Sequence, residues 1–288
     1  MSEKTEPVTV SEPAQAPYRI QIGDVTVIAL SDGYIKGGEG ILRNVEPDAA
    51  ADVLRAANRY PPVVYVNAFV VQTIGRTMLI DTGSGSYMGR RAGTLASSLD
   101  AAGIAATDID TVFLTHIHPD HIGGLTNNGE ARFPNAEVAV HAAEVAHWMD
   151  DATMQQAHES QRALFFEAPR QQLAPYRDRL RLFNDDSVFP GMAALAAPGH
   201  TPGHTTCLIN SGKDSLLIWG DTVHVPEVQT AFPDAGVVFD LDPAKAAGSR
   251  RRIFEIVTTD NIPVMGMHVG PPGLVHLERC GQGYRLVP

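Results

Sequence analysis

A group of ligand-type side chains that follows an apolar segment constrains the fold more than any other feature of this sequence. Residues 112–114 read VFL, and the stretch THIHPDHIGGL that follows holds three histidines and one aspartate within six consecutive positions. Imidazole nitrogens and carboxylates are ligands for zinc and similar divalent ions. Their position after a buried strand predicts a metal site at the edge of a sheet.

The spacing within this stretch directs the four side chains towards one small volume. His116 and His118 are two residues apart, so they face the same side of an extended segment. Pro119 favours the start of a helix, which places Asp120 and His121 in its first turn. A solvated loop in which histidine recurs is the alternative interpretation. The position between a buried strand and a Gly-Gly turn favours metal ligands instead.

Three further polar residues follow apolar segments later in the chain. His200 lies in APGHTPGHTT, Asp221 ends LLIWGDT, and His268 lies in VMGMHVGPPG. Each alone would be interpreted as a turn residue or as a satisfied core group. Together with the first group, they supply the ligands that a two-metal centre requires. We therefore expect two divalent ions per chain, with zinc favoured and manganese, cobalt or iron as alternatives.

Composition limits the partners and the location of the chain. The net charge of the 288 residues is −11, which argues against nucleic acid or an anionic membrane as a partner. The two cysteines imply no disulfide framework, and no apolar run has the length of a membrane span. Residues 1–17 predict a flexible tail, and their lack of an apolar signal-peptide core predicts a cytoplasmic protein.

The order of predicted elements indicates one α/β domain over residues 18–288. Strands and helices mix throughout, with two early pairs of strands, the second turning at Gly75. Residues 153–176 predict a helical region that is broken by Pro169 and Pro175. A buried strand over residues 108–116 leads into the first group of ligands.

The order of the motifs resembles the metal-ligand pattern of the metallo-β-lactamase superfamily. HxHxDH, a GHTPGHT loop, an aspartate at a strand end and a final histidine follow one another, and LIDTG around Asp81 is similar to the early strand-end motif of that superfamily. The resemblance extends over almost the whole chain from Tyr18 onward. It implies an αββα four-layer sandwich that holds the metals at one end of its sheets.

The resemblance also implies a role for each ligand. One metal would take His116, His118 and His200, the other would take Asp120, His121 and His268, and Asp221 would bridge the two. As catalytic groups, Asp221 would hold the attacking hydroxide and Asp120 would pass a proton to the leaving group. Asp81 would orient a ligand, and His204 would brace the ligand loop. His276 is the alternative to His268.

Within the superfamily, the sequence is most similar to methyl parathion hydrolase and its lactonase and arylesterase relatives. The similar segments include GDVTVIALSDG, GHTPGHTT and GLVHLERCGQGYRLVP. The likeness implies hydrolysis of small neutral lactones or aryl esters, with organophosphate triesters as further substrates. A glyoxalase II-type thioesterase and an iron-dependent persulfide dioxygenase are the alternatives. A homodimer is compatible with the sequence.

Candidates for the substrate pocket are side chains close to these motifs. Aromatic walls over the metals would suit an aryl or alkyl ester, although packing in the core is the alternative for each of them. One candidate, His224, stands where an apolar residue is more usual. The candidates are Tyr87, Met88, Trp148, Phe165, Phe166 and His224.

Overall fold

Two seven-stranded sheets dominate the computed structural model, which describes residues 16–37, 39–185 and 188–287. Of the predicted flexible tail, residues 1–15 lie outside the described residues. The strands are β1 (Tyr18–Ile22), β2 (Val25–Lys36), β3 (Leu42–Arg43), β4 (Val63–Thr73), β5 (Arg76–Ile80), β6 (Thr111–Phe113), β7 (Thr126–Asn127), β8 (Glu130–Ala131), β9 (Glu137–His141), β10 (Leu180–Phe183), β11 (Val188–Phe189), β12 (Met192–Ala196), β13 (Thr205–Ser211), β14 (Asp214–Ile218), β15 (Gly236–Val237), β16 (Val264–Met265), β17 (Leu274–Cys280) and β18 (Gly283–Val287).

Helices lie between these strands along the chain. They are α1 (Pro47–Ala56), α2 (Leu95–Ala102), α3 (Pro119–Ile122), α4 (Ala142–Trp148), α5 (Asp151–Gln156), α6 (Glu159–Arg162), α7 (Ala168–Leu173), α8 (Pro226–Ala231) and α9 (Pro243–Thr259). A π-helical turn covers Ala163–Glu167, and short 3-10 turns cover Glu39–Ile41, Ala106–Asp108, Ala174–Arg179 and Gly220–Thr222.

Each large sheet combines antiparallel and parallel pairs. The first has the order β1-β2-β4-β5-β6-β9-β10, and its pairs are parallel from β5 onward. The second has the order β11-β12-β13-β14-β16-β17-β18, and only its β14–β16 pair is parallel among the described strands. Parallel neighbours end at the same edge of a sheet, so residues that follow β5, β6 and β9 are brought close together.

The core consists of three apolar layers. The central layer joins the two sheets through residues such as Phe69 and Phe113 on the first sheet and Ile209 and Ile218 on the second. A second layer lies between the first sheet and α2 and α4, and a third lies between the second sheet and α9. The layers therefore run helix, sheet, sheet, helix, which confirms the predicted αββα sandwich.

The buried strand predicted over residues 108–116 is much shorter in the structure. β6 pairs only over Thr111–Phe113, and residues 106–108 form a 3-10 turn instead. The N–H of Leu114 still donates to the carbonyl of Ala139 at 2.9 Å, after which the chain leaves the ladder. The polar stretch therefore begins as a loop whose backbone is free to make other hydrogen bonds.

The prediction that Pro169 breaks the helical region is wrong. Pro169 lies in the first turn of α7, directly after the π-helical turn Ala163–Glu167. Such a wide turn changes the hydrogen-bond pattern, so a proline that lacks an N–H is accommodated without ending the helix. The break falls instead at Ala157, which is extended, and His158 begins α6 by accepting the N–H of Ser160 at 3.3 Å. Pro175 does mark the end of α-helical geometry.

Two expectations from composition can be compared with the structure. Within the described part of the chain, no helix combines the length and the apolar character that a bilayer crossing requires. Cys207 is buried, Cys280 is exposed, and both are free thiols.

Candidate metal centre

The first four predicted ligands come from the loop after β6 and from α3. His118 is extended and directly precedes Pro119, which occupies the first turn of α3 as the sequence predicts. His116, His118 and His121 are buried, whereas Asp120 keeps partial exposure. The short helix thus turns the chain so that residues from a loop and from a helix face one volume.

The second sheet provides the other three predicted ligands. His200 lies in the loop between β12 and β13, Asp221 follows β14, and His268 follows β16. All three are at most 3% exposed. His276 lies on β17 and does not belong to any ligand group found among the described residues.

The carboxylate of Asp221 lies at the centre of these side chains. One of its oxygens is 3.2 Å from Nε2 of His121, and the other is 3.1 Å from Nε2 of His268. Ring nitrogens within 3.6 Å of this carboxylate belong to His116, His121, His200, His224 and His268. The centre therefore has one acidic group shared by imidazoles from both sheets.

The ligand atoms form overlapping groups that could each hold an ion. Within each group the ligand atoms lie within 4.8 Å of one another. The groups are His116, His118, His200 and Asp221; Asp120, His121 and His268; and Asp221, His224 and His268. The structure thus brings together all seven predicted ligands and adds His224, which the sequence suggested only as a pocket residue.

Hydrogen bonds to the outer ring nitrogens orient the histidines. Nδ1 of His200 donates to Oδ1 of Asp240 at 2.9 Å, and Nδ1 of His268 donates to the carbonyl of Tyr65 at 2.6 Å. Each bond places a proton on Nδ1, so that the ring in its neutral form directs the lone pair of Nε2 at the centre. Asp240 was missed from the sequence, although it follows the apolar residues VVF and so repeats the strand-end pattern.

Asp81 ties the first ligand segment together. Its Oδ2 accepts Nδ1–H of His121 and the hydroxyl of Thr115, both at 2.7 Å. Its Oδ1 accepts the backbone N–H of Thr115 at 2.8 Å. Burial raises the pKa of the Asp81 carboxyl, and these donors oppose that shift. The structure thus places Asp81 where it can orient His121, as the motif suggests.

The hydrogen bonds of His204 go to the backbone around the centre. Its Nδ1 donates to the carbonyl of Ala197 at 2.9 Å, and its Nε2 accepts the N–H of Asp221 at 2.8 Å. Burial lowers the pKa of His204 to about 3, so the ring is neutral and can accept that N–H. Gly220 is required beside it, because a Cβ there would lie 2.4 Å from Nε2 of His204.

The charges in the centre are strongly coupled. Burial lowers the pKa of His116 and His118 well below the ordinary value. Burial also acts on His200, but the carboxylates of Asp221 and Asp240 outweigh it and raise the pKa of His200 to about 9. Burial would raise the pKa of Asp221, yet the surrounding imidazoles hold it well below its usual range. The carboxylate is therefore ionised at neutral pH.

The unpaired atoms of the centre fit a divalent cation. Nε2 of His116, Nε2 of His121 and Oδ1 of Asp221 are buried and find no hydrogen-bond partner among the described residues. Nε2 of His200 and Nδ1 of His118 lie only 3.0 Å apart. Buried polar atoms without partners destabilise a protein unless something satisfies them. A cation between these lone pairs would do so, which makes the residues present a good match for a metal centre.

A mainly apolar cavity of about 180 Å³ opens onto the centre. Its floor includes Asp120, Asp221 and His268, and its walls include Ile35, Val64 and Met88. A second cavity of about 300 Å³ has His118, Phe165 and Phe239 in common with the first. A substrate in the first cavity could therefore extend into the second without leaving the protein.

Comparison with known proteins identifies the family. Residues 61–261 match the family described as the metallo-beta-lactamase superfamily. The chain belongs to that superfamily.

Two solved structures of this superfamily fold are similar over nearly the whole chain. The crystal structure of hydrolase AbOPH in the beta lactamase superfamily is 29% identical with a TM-score of 0.90, and covers 95% of this chain and 97% of that one. The structure of AidC, a dizinc quorum-quenching lactonase in complex with a product, is 26% identical with a TM-score of 0.87 and the same 95% and 97% coverage.

Curated relatives match a shorter part of the chain. A probable metallo-hydrolase of Mycobacterium bovis is 25% identical over 189 residues, which are 58% of this chain and 59% of that protein. An N-acyl homoserine lactonase of Bacillus cereus is 26% identical over 165 residues, or 57% of each. The chain thus spans less than two thirds of these relatives. Lactonases are among the proteins to which it is similar.

The structure distributes the predicted pocket residues of this superfamily member over different surroundings. Met88, Phe165 and His224 line the first cavity, and Trp148 and Phe166 line the second. Tyr87 lines neither of these two cavities, because its hydroxyl is turned to accept a hydrogen bond from Gln172 at 3.1 Å.

Two further features of the walls add to the sequence interpretation. Trp148 is only 2% exposed, and the centroid of its ring lies 5.4 Å from that of the His118 ring. It also belongs to the apolar layer between the first sheet and α2 and α4. The exposed Lys36 also lines the first cavity, whereas no basic group was expected there from the sequence.

Proposed function

We propose that this protein is a binuclear metal-dependent hydrolase that cleaves neutral lactones or aryl esters. The observation that carries the proposal is the pair of ligand groups, centred on Asp221, at the floor of an apolar cavity. The similarity to a dizinc lactonase and to N-acyl homoserine lactonases supports the same reaction class.

The residues that would hold the ions follow from the groups of ligand atoms. His116, His118 and His200 would hold one ion, Asp120, His121 and His268 the other, and Asp221 would contact both. When bound, two such ions would supply Lewis acidity and would lower the pKa of a water molecule so that a nucleophile is available near neutral pH. His224 is a further candidate ligand or substrate contact, since its Nε2 lies 3.0 Å from Asp221.

The two catalytic carboxylates have different surroundings, and we assign them different roles. Asp221 is 3% exposed and ionised, so it can accept a hydrogen bond from the attacking water and fix its orientation. The side chain of Asp120 is 14% exposed and its Oδ2 lies 3.6 Å from Nε2 of His121. Because Asp120 faces the cavity, its Oδ2 can carry a proton to the leaving oxygen of the substrate.

The walls favour a neutral substrate with apolar groups. Ile35, Val64, Met88 and Phe165 exclude water from the floor of the first cavity. A lactone or aryl ester needs no basic residue to offset a charge, and the one lysine among the described lining residues, Lys36, is exposed to solvent. Organophosphate triesters, suggested by the likeness to methyl parathion hydrolase, are also neutral, but their tetrahedral bulk makes slower turnover the expectation.

Metal analysis combined with a panel of substrates tests the proposal. Protein loaded with zinc should contain close to two ions per chain, and either Asp120→Ala or His268→Ala should reduce that number. Lactones and aryl esters should turn over best, triesters more slowly, and glutathione thioesters least. A single ion that both variants leave in place would contradict the binuclear centre.

The same panel separates the alternatives. Turnover of glutathione thioesters alone would favour a thioesterase. Consumption of oxygen with a persulfide substrate and ferrous iron would favour a dioxygenase. We expect hydrolysis without oxygen uptake in the zinc, manganese and cobalt forms.

A further inference from the structure

Glu144 is a buried carboxylate outside the groups of ligand atoms. It lies in α4, is 0% exposed, and makes three hydrogen bonds as an acceptor. Its Oε2 accepts the backbone N–H of Ile117 at 2.8 Å and Nε1–H of Trp148 at 3.0 Å. Its Oε1 accepts the backbone N–H of Gly203 at 2.7 Å. The mechanism proposed above makes no use of this group.

The two backbone donors belong to the two ligand segments of the same metal site. Ile117 stands between His116 and His118, and follows the first sheet. Gly203 stands between His200 and His204, and precedes β13 of the second sheet. A single carboxylate therefore links segments that are remote in sequence and that carry three candidate ligands of one ion.

A direct hydrogen bond also joins the two segments and restricts how they are oriented. The N–H of Thr205 donates to the carbonyl of Thr115 at 3.0 Å, so the two segments also meet directly. One such bond would leave the segments free to rotate about it. The bridge through Glu144 adds a second point of attachment, and two points restrict the rotation of one segment against the other.

Close packing leaves the bridge little freedom. A Cβ on Gly203 would lie 2.6 Å from Nδ1 of His141 and 3.0 Å from Cγ of Glu144, so only glycine permits this approach. Trp148 donates to the same carboxylate and its ring packs against the ring of His118. The helix thus holds the His118 segment by its backbone and by its side chain.

We propose that Glu144 is a positioning residue that sets the distance between the His116–His118 segment and the His200–His204 segment, and so prepares the first metal site. The distance that it controls is the 3.0 Å between Nδ1 of His118 and Nε2 of His200. The inference rests on the proposed function, because it takes these histidines as metal ligands. Buried charge-assisted hydrogen bonds are strong and geometrically specific, which suits such a role.

The test compares Glu144→Gln with a matched control, Asp110→Asn. Glutamine keeps the shape of the side chain but places an NH2 group against a donor on one of the two segments. Asp110 likewise accepts a backbone N–H, from Thr77 at 2.7 Å, and a hydroxyl, from Thr111 at 2.9 Å. It precedes β6, at the opposite end of the strand from the ligands. Glu144→Asp, which keeps the charge but is too short to reach both segments, is measured in parallel.

Three measurements are made on each full-length variant: zinc affinity by competition with a chelator, the absorption spectrum of the cobalt-substituted protein, and thermal unfolding without metal. We expect Glu144→Gln and Glu144→Asp to weaken zinc binding by roughly tenfold to a hundredfold and to change the cobalt spectrum. Asp110→Asn should lower the unfolding temperature but leave the zinc affinity and the spectrum as in the wild type.

The outcomes separate this inference from the proposed function. Variants of Glu144 that fold and bind zinc with wild-type affinity and spectrum would overturn the inference but would leave the proposed metal centre intact. An equal loss of affinity in Asp110→Asn would also overturn it, because the effect would then reflect general destabilisation. A wild-type chain that binds no zinc would contradict both.

Discussion

The metal centre and the cavity wall lie next to each other but are built in different ways. In the centre, the outer nitrogens of His121, His200 and His268 each donate to a buried carboxylate or carbonyl. In the wall, the loop after β15 carries apolar side chains in water, with Val238 41% and Phe239 43% exposed. Hydrogen bonds hold the polar side chains of the centre in place, whereas the apolar side chains of the wall are held by packing or face solvent.

Because of this difference, we expect the centre to set the rate of the reaction and the wall to set the choice of substrate. Groups on strand ends that are fixed by several partners keep the geometry that chemistry requires. Apolar side chains that make no such bonds can repack to suit different substrates. We therefore expect changes in the centre to affect every substrate and changes in the wall to affect substrates differently.

The largest expected effect comes from removing the shared carboxylate. Asp221→Ala should lower turnover of all substrates by on the order of a thousandfold or more and should reduce the zinc content. The physical reason is that imidazoles from both sheets would lose the anion that they surround. The control is Asp214→Asn, at the exposed start of β14, the strand that precedes Asp221, and it should behave as the wild type. If Asp221→Ala kept turnover within tenfold, the centre would not be where the reaction occurs.

Two adjacent residues test the boundary between centre and wall. Asp240→Asn removes the charged acceptor of His200 and should weaken zinc binding by roughly tenfold to a hundredfold. Phe239→Ala, one position earlier, should leave the zinc affinity unchanged, because Phe239 points into the cavities. Chelator competition measures both. Equal zinc affinities in the two variants would remove the proposed boundary.

The wall itself is tested by Phe165→Ala. Loss of this apolar contact should cost about 1–3 kcal/mol of transition-state binding for aryl substrates, with a smaller effect on short-chain lactones and no change in zinc content. Phe232→Ala serves as the control, since Phe232 is a partly exposed phenylalanine at the end of α8. Values of kcat/KM for both substrate classes decide the question, and a uniform loss for all substrates would place Phe165 with the centre.

The smallest expected effect is a pH dependence of zinc binding that arises in the centre. The carboxylates of Asp221 and Asp240 outweigh burial and raise the pKa of His200 to about 9 in the metal-free protein. At pH 7 both ring nitrogens therefore carry a proton and the ring is charged. A metal ligand must be neutral, and zinc binding therefore releases this proton. The apparent affinity should rise by up to about tenfold per pH unit for this proton and level off above about pH 9.

Calorimetry in two buffers of different ionisation enthalpy measures this release. The Phe165→Ala variant should release the same number of protons as the wild type, because the wall does not titrate with the metal. Zinc affinity that is independent of pH between 7 and 9 would show that His200 is already neutral in the metal-free protein.

The same contrast explains how much the sequence could predict. The ligands follow apolar strands at short spacings, and strand periodicity together with a proline at a helix start is local geometry that a sequence displays. Asp81 could be named because it belongs to such a segment. The mixture of strands and helices predicted one α/β domain, and the resemblance of the motifs implied its four layers.

What the sequence could not reveal depends on contacts between remote segments. Glu144 accepts backbone N–H groups, which every residue but proline offers, so no residue type marks its partners. Trp148 reads equally well as a pocket wall or as a core residue, and only the structure shows that it is 2% exposed and also lines the second cavity. The predicted break at Pro169 is wrong because a π-helical turn is not visible in a pattern of apolar residues.

The division of the ligands between two sheets has a consequence for how the chain acquires its ions during synthesis. The segment with His116, His118 and His121 leaves the ribosome well before His268. Until then its imidazoles can coordinate an ion only incompletely, and a flexible histidine cluster prefers whichever divalent ion binds imidazole most tightly. The choice of metal would therefore belong to the finished fold, in which both sheets hold the donors at set distances, and a different ion captured by the growing chain would have to be exchanged.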